Sequence, residues 1–211
     1  MPEGPEIWIL SKAINKFYHN DKTCSYGKRL TVFDDSSKKT GENWWFGLTG
    51  KVEITDNNEL IKLKTGWICG DVNDFTNYEG ESNLGKDWMN CSIEELHEIV
   101  DSWIKSKQKL AVLILDQSKI AGIGVTWGSE ILFDCGLRPD MKASDQNLCH
   151  LVDSMIKIRE KIKKIYNNEL DNTLCVKEFI NDWFSNLYEI REMNIYKKGS
   201  GIQVLSRTWW V

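Results

Sequence analysis

Apolar residues recur at helical spacing in the first segment of the chain, IWILSKAINKFY (residues 7–18). Ile7, Leu10 and Ile14 fall on one side of a helix, and the acidic residues before them suit a helix N-terminus. From residue 29 to 68 the pattern changes to short β-prone runs separated by polar, turn-forming stretches. The pattern predicts a helix followed by an antiparallel sheet, which we expect to form a β-sandwich.

The second half of the chain has mostly helical periodicity. Ser92 followed by Glu95 is a capping-box pattern that opens a helix after a polar stretch, so we expect a domain boundary near residue 90. A long amphipathic helix is predicted from Ser144, and most of its cations lie off the apolar stripe, as on a solvated face or a polyanion-binding one. The last segment, NIYKKGSGIQVLSRTWWV, predicts a hairpin with Gly-Ser-Gly as its turn.

The composition limits the kinds of protein that this chain can be. With 211 residues, 41% of them hydrophobic, the chain can bury a core. No apolar run reaches the roughly 18 residues that span a bilayer, and the N-terminus lacks the features of a signal peptide, so we expect an intracellular protein without a membrane partner. The net charge of −4 argues mildly against nucleic-acid binding, although the second half of the chain is net basic.

Cysteine spacing points away from metal and disulfide chemistry. The six cysteines include no C-x-x-C pair and no nearby histidine partner, so we expect buried free thiols and no cofactor. They are Cys24, Cys69, Cys91, Cys135, Cys149 and Cys175.

The opening residues, MPEGPE, hold candidate chemistry. Removal of Met1 would leave Pro2 with a secondary amine, and α-amino groups titrate near pH 7.7–8.0, so a useful fraction is nucleophilic. Addition of that amine to an aldehyde-level carbon gives an iminium ion, which is an electron sink. Glu3 could serve as a general acid and Glu6 could orient the amine or a water. The structural alternative is a proline at the first helical position (N1) with acidic residues that favour the helix dipole.

Two separate motifs resemble one enzyme family. MPEGPE at the N-terminus and KLAVLILDQSKIAGIGVTWGSEILFDCGLRP in the second half are similar to the formamidopyrimidine-DNA glycosylase and endonuclease VIII family of base-excision repair. The resemblance implies an α+β fold, in which an N-terminal helix and antiparallel β-sandwich precede a helical helix–two-turn–helix domain that ends in a zincless finger hairpin. The implied domains are a catalytic domain (1–90), a DNA-binding domain (91–190) and the finger (191–211).

The resemblance also assigns site residues. Pro2 would form a Schiff base with C1′ of the damaged nucleotide, Glu3 would protonate the sugar-ring oxygen, and Glu6 would support the site. Lys28, in YGKRLTVF, matches a lysine that contacts phosphate and sugar, although an exposed strand lysine is an equal reading. These four are the implied catalytic residues.

DNA-binding residues follow in the same way. Leu48, in FGLTG, falls where the family has an apolar wedge that fills the space of a flipped base, although it could equally be a core leucine. Gly122 and Gly124 would let backbone amides approach a phosphate. Arg207, in LSRTWWV, would grip the phosphates beside the lesion, with Trp209 holding a finger that needs no metal.

Departures from the family pattern leave two functions open. Val125 replaces an asparagine that holds a phosphate, and the loop that fills the opposite-strand void has no clear arginine, since NDFTNYEG offers only Phe75 and Tyr78. We expect a monomeric glycosylase with AP lyase activity on damaged DNA, which removes oxidised pyrimidines, ring-opened purines or hydantoins. The alternative is a weak or inactive relative that only binds damaged or abasic DNA.

Overall fold

The computed structural model describes most of the second half of the chain and the regular elements of the first. The described residues are 3–18, 24–26, 29–33, 41–45, 51–53, 62–65, 67–71, 84–172 and 201–210. Contacts divide the chain into two compact units, each built from two stretches: Met1–Asn83 with Lys164–Ile190, and Leu84–Lys163 with Arg191–Val211. The three-part division at residues 90 and 190 stays a prediction.

The first unit combines one helix with short antiparallel strands. The elements are α1 (Gly4–Tyr18), β1 (Cys24–Tyr26), β2 (Arg29–Phe33), β3 (Gly41–Trp45), β4 (Lys51–Glu53), β5 (Lys62–Thr65) and β6 (Trp67–Asp71). A four-stranded sheet has the order β1-β2-β3-β6, and β4 pairs with β5. The predicted helix and antiparallel pairing are confirmed, whereas a sandwich stays a prediction because the described strands form only these small sheets.

The first helix is buried along its N-terminal half. Ile7, Ile9 and Ala13 are almost completely inaccessible, as the apolar spacing of the segment predicted. The helix lies against β1 and β2. Near its other end, Lys16 Nζ donates a 2.7 Å hydrogen bond to the carbonyl oxygen of Leu170. The start of α1 is therefore held within the core of its unit.

The second unit is mainly helical. Its elements are β7 (Lys86–Asp87), α2 (Ile93–Trp103), α3 (Leu110–Leu115), β8 (Ile120–Ala121), α4 (Val125–Asp134), the first part of α5 (Leu151–Asn172), β9 (Gly201–Val204) and β10 (Arg207–Trp210). The capping box at α2 is confirmed: Ser92 Oγ accepts from the Glu95 amide at 3.2 Å, and Glu95 Oε2 accepts from the Ser92 amide at 3.0 Å.

The segment before α2 is more ordered than its polar composition suggested. β7 pairs with β8 in parallel, and a β-carbon on Gly85 would lie only 2.2 Å from the Lys119 carbonyl oxygen, so the close approach requires glycine. Trp88 is fully buried, and Arg159 of α5 donates from Nη1 to the carbonyls of Trp88 (3.2 Å) and Cys91 (2.8 Å). Arg159 therefore ties α5 to this segment and does not belong to a solvated basic face.

The long helix begins later than the sequence pattern predicts. Instead of starting at Ser144, α5 starts at Leu151. Gln146 accepts from the Arg138 amide at 2.7 Å, and Asn147 Oδ1 accepts from the Cys149 amide at 3.1 Å. Such local bonds between side chains and backbone compete with a helix, which explains the delay.

The predicted C-terminal hairpin is present, but its turn is elsewhere. β9 and β10 pair antiparallel with Val204 opposite Arg207, so Leu205 and Ser206 form the turn, while Gly201, of the predicted Gly-Ser-Gly turn, already belongs to β9. Leu205 and Ser206 have φ values of 55° and 57°. This left-handed conformation costs an L-residue roughly 1–2 kcal/mol.

Three of the cysteines can be described, and all three are free thiols: Cys91 is buried, Cys135 is half-buried and Cys149 is exposed. Burial raises the pKa of both the Cys91 and the Cys135 thiols to about 11, which keeps them protonated and unreactive near neutral pH. In the described residues no helix is long and apolar enough to cross a membrane.

Candidate active site and nucleic-acid interface

Two buried carboxylates stand at the N-terminus of α1. Glu3 is 4% exposed and Glu6 is 1% exposed. The backbone amide of Glu3 donates a 2.9 Å hydrogen bond to Glu6 Oε2, and the carbonyl of Glu3 accepts the first helical bond from the Ile7 amide at 3.3 Å. Glu3 thus occupies the N-cap position, and Glu6 three residues later supplies the reciprocal arm of a capping box.

This geometry gives the two carboxylates different tasks. Glu6 fixes the backbone of Glu3, the residue that follows Pro2 in the sequence. The partial positive charge of a helix N-terminus favours carboxylates in this place, and their burial excludes water. Of the structural alternative considered for MPEGPE, the acidic first turn is present at Glu6, whereas the first residue of α1 is Gly4 and not a proline.

Two substitutions of Glu6 distinguish the effect of its capping hydrogen bond from the effect of its negative charge. We expect Glu6→Ala to lower the free energy of unfolding by about 1–3 kcal/mol, because the buried Glu3 amide loses its acceptor. Glu6→Gln keeps an oxygen in the same position and should lose less than half as much. Urea unfolding of both variants measures the difference. Equal losses in the two variants would contradict the capping role.

The remaining predicted catalytic residues, Pro2 and Lys28, and the predicted wedge, Leu48, lie outside the described residues. The structure therefore brings together Glu3 and Glu6 of the four predicted catalytic residues. Their placement beside Pro2 follows from the chain itself, since Glu3 is its neighbour in sequence.

The glycine-containing turn before α4 is organised by one glutamine. Gln117 Nε2 donates to the carbonyls of Leu115 (3.1 Å) and Ile123 (2.9 Å), and Gln117 Oε1 accepts from the Gly122 amide at 2.9 Å. Gly122 has a φ of 94°, which a side chain would disfavour. Because the Gly122 amide is engaged by Gln117, Gly122 serves to shape the turn before α4.

The N-terminus of α4 is suited to an anion. Gly124 is the N-cap residue, and glycine has no side chain with which to cap this end. The first amides of a helix have no partner inside the helix and carry the positive end of its dipole, which is why phosphates bind at such ends. Val125, the first residue of α4, adds no side-chain donor there.

Arg207 belongs to the same unit and lies on a hairpin that packs against α4 through Trp209. It is exposed at the start of β10, and the next residue on that face of the strand, Trp209, is fully buried. A β-carbon on Gly128 would lie 3.2 Å from Trp209 Cζ3, so the indole packs on the bare backbone of α4. Gly128 also donates from its amide to the Gly124 carbonyl at 2.8 Å. One helical turn therefore joins the candidate phosphate site at Gly124 to the hairpin that carries Arg207.

Two residues that build this surface were not singled out from the sequence. Gln117 looked like one polar residue in a loop, and only the fold shows that it bonds three backbone groups. Gly128 did carry a signal, since an isolated glycine in a helical pattern often marks close packing. As for metals, the described residues contain no cluster of three or more His, Cys, Asp or Glu side chains that could hold an ion.

Comparisons with known proteins agree on the architecture. No family model and no curated protein sequence matches the chain. Among solved structures, Lactococcus lactis Fpg (MutM) in complex with DNA containing an oxidised pyrimidine superposes with a TM-score of 0.68 at 15% identity, covering 99% of this chain and 97% of that one. MutM in complex with DNA containing carbocyclic 8-oxo-G gives a TM-score of 0.67 at 16% identity, with the same coverage.

A third structure, Lactococcus lactis formamidopyrimidine-DNA glycosylase bound non-covalently to DNA with an AP site, gives a TM-score of 0.65 at 16% identity and covers 99% of this chain and 96% of that one. At such identities the likeness concerns the fold, and it extends over nearly the whole chain. The resemblance predicted from MPEGPE and the AGIG segment is confirmed at that level: this chain has the fold of the formamidopyrimidine-DNA glycosylase and endonuclease VIII family.

Proposed function

We propose that this protein is a DNA repair glycosylase with AP lyase activity. The observation that carries the proposal is the pair of buried carboxylates, Glu3 and Glu6, directly after Pro2 in a chain with this fold. The N-terminus of α4, which begins after Gly124, and the exposed Arg207 add positive potential that suits phosphates. The solved structures with this fold hold oxidised, 8-oxo-G or AP-site DNA, which supports damaged DNA as the partner.

In the proposed mechanism the Pro2 nitrogen, freed by removal of Met1, attacks C1′ of the damaged nucleotide. The N–C1′ bond forms as the glycosidic bond breaks, and the departing base takes up a proton. Glu3 protonates the ring oxygen as the sugar opens, which gives an iminium ion. Loss of a proton from C2′ then expels the 3′ phosphate by β-elimination, and a second elimination releases the 5′ phosphate. Glu6 holds the Glu3 backbone in place during these steps.

The other predicted residues have supporting roles in this proposal. Lys28 contacts phosphate near the reacting sugar, and Leu48 fills the space of the flipped base. The turn before α4, which Gly122 shapes and Gly124 ends, binds a phosphate. Arg207, on a zincless finger that requires no metal, binds the phosphates beside the lesion. The substrates are oxidised pyrimidines, ring-opened purines and hydantoins, and the protein acts as a monomer inside the cell.

The test is borohydride trapping of the trimmed protein on oligonucleotides containing thymine glycol, a hydantoin, 8-oxoguanine or an abasic site. The expected result is a covalent adduct together with strand cleavage, with 8-oxoguanine the poorest substrate. Absence of any adduct and any cleavage on all four DNAs would reject the enzymatic proposal.

One observation favours a second candidate, a non-catalytic binder of damaged DNA. Val125 stands at the first position of α4, where it cannot add a side-chain hydrogen bond to a phosphate. Under this alternative the protein binds abasic-site analogues without forming an adduct, so a binding measurement on the same DNAs separates the two functions.

A further inference from the structure

The tip of the C-terminal hairpin has a backbone that its sequence does not favour. Two-residue hairpin turns with positive φ at both positions prefer Asn, Asp or Gly, because these residues tolerate the left-handed region. Here the two positions are Leu205 and Ser206, with φ values of 55° and 57°. A backbone outlier of this kind persists only where its surroundings impose it, and such outliers concentrate at functional sites.

The surroundings do impose this turn. The strands pair in register on both sides, with Val204 opposite Arg207, and Gln203 Nε2 donates across them to Thr208 Oγ1 at 2.7 Å. Val204 and Trp209 are buried, and Trp209 is seated on Gly128 of α4. The tip is therefore a rigid projection whose shape does not depend on the identity of its own side chains.

Leucine at the tip is only half covered by the fold. Half of Leu205 is exposed, so the free protein places an apolar side chain in water on a strained backbone, where asparagine would satisfy both the turn and the solvent. Two residues further on, Arg207 is exposed, and within the described residues no acidic group pairs with its guanidinium. An apolar group beside an exposed cation matches a DNA groove, which has sugar and base edges inside and phosphates along its rim.

We propose that Leu205 enters a groove of the bound duplex and packs against deoxyribose and base edges, while Arg207 contacts the flanking phosphate. This inference rests on the proposed DNA-binding function but not on the lyase chemistry. Apolar residues, leucine among them, are used in this way by proteins that distort duplexes from a groove. The strained turn is what presents Leu205 at the end of the hairpin.

Two substitutions at one position test the proposal. Leu205→Asn relieves the turn and removes the apolar side chain, whereas Leu205→Met keeps an apolar side chain on the same backbone. We expect Leu205→Asn to unfold about 2–4 °C above wild type, yet to bind a duplex containing a tetrahydrofuran abasic analogue about tenfold more weakly. Leu205→Met should bind within about threefold of wild type, since methionine fills similar apolar space. Neither variant should change the salt dependence of binding, because no charge is altered.

The proposal is overturned if Leu205→Asn binds the duplex as tightly as wild type, which would leave Leu205 as tolerated strain or as a contact for another protein. It is also overturned if Leu205→Met loses as much affinity as Leu205→Asn. Both results concern equilibrium binding. Failure of the borohydride adduct with wild-type protein, with binding intact, would instead reject the lyase function and leave the binding comparison valid.

Discussion

Protein that retains Met1 forms no borohydride-trapped adduct with abasic DNA. With Met1 in place the nitrogen of Pro2 is an amide, and an amide nitrogen cannot add to C1′, whereas a free secondary amine can. We expect strand cleavage to fall by roughly 10³-fold or more, the scale on which loss of a covalent nucleophile acts. Single-turnover cleavage of an abasic duplex, at saturating protein, measures the effect on chemistry apart from binding.

The matched control is the same preparation after treatment with a methionine aminopeptidase. Trimming restores the amine without changing any side chain, so adduct formation and cleavage should return, while affinity for a tetrahydrofuran duplex should be alike before and after. Undiminished trapping by the untrimmed protein would show that a lysine or another amine is the nucleophile and that the role assigned to Pro2 is wrong.

Trp209→Ala should destabilise the second unit by about 3–5 kcal/mol, as large-to-small substitutions of buried aromatic residues do. Trp209 is fully buried, and its ring rests on Gly128, so its removal leaves the hairpin without its anchor on α4. DNA affinity should fall as well, because Arg207 then has no fixed position relative to the α4 turn. Denaturant unfolding followed by helical circular dichroism measures the first effect and fluorescence anisotropy the second.

Substitution from the other side of the same contact provides the control. Gly128→Leu places a branched side chain where the indole sits, so it should detach the hairpin and weaken DNA binding, although leucine favours the helix. Gly128→Ala requires Trp209 to shift only by tenths of an ångström and should bind DNA nearly as wild type does. If Trp209→Ala and Gly128→Leu both retain full stability and affinity, the anchoring contact has no energetic importance.

Local signals in the sequence were sufficient for the elements whose periodicity is strong. α1, the capping box of α2 and antiparallel strands between residues 29 and 68 appear where the pattern predicts them. The start of α5 could not be predicted in this way, because the Gln146 side chain is held by the Arg138 amide and Asn147 Oδ1 accepts from the Cys149 amide, which a helix would otherwise use. The spacing of apolar residues shows where an apolar face lies, but it does not reveal side-chain hydrogen bonds that compete with a helix.

Tertiary contacts account for the other differences. The sequence pattern places Arg159 among the cations of a basic helix face, yet its side chain is buried. Its guanidinium donates hydrogen bonds to two carbonyls of the segment before α2. The hairpin turn was predicted at its glycines, but pairing places it at Leu205 and Ser206. For the candidate site, MPEGPE indicated both carboxylates, whereas their separate tasks follow from a single bond between the Glu3 amide and Glu6.

The interleaved composition of the two units affects the order in which the chain can fold during synthesis. The second unit is made of Leu84–Lys163 and Arg191–Val211, so its helices leave the ribosome well before the strand that covers Gly128. Until β10 emerges, the Trp209-binding face of α4 remains open to solvent and accessible to chaperones. A nascent chain therefore cannot form the β9–β10 hairpin while it is still being translated through α5, so the proposed phosphate contact of Arg207 forms after the helices of this unit.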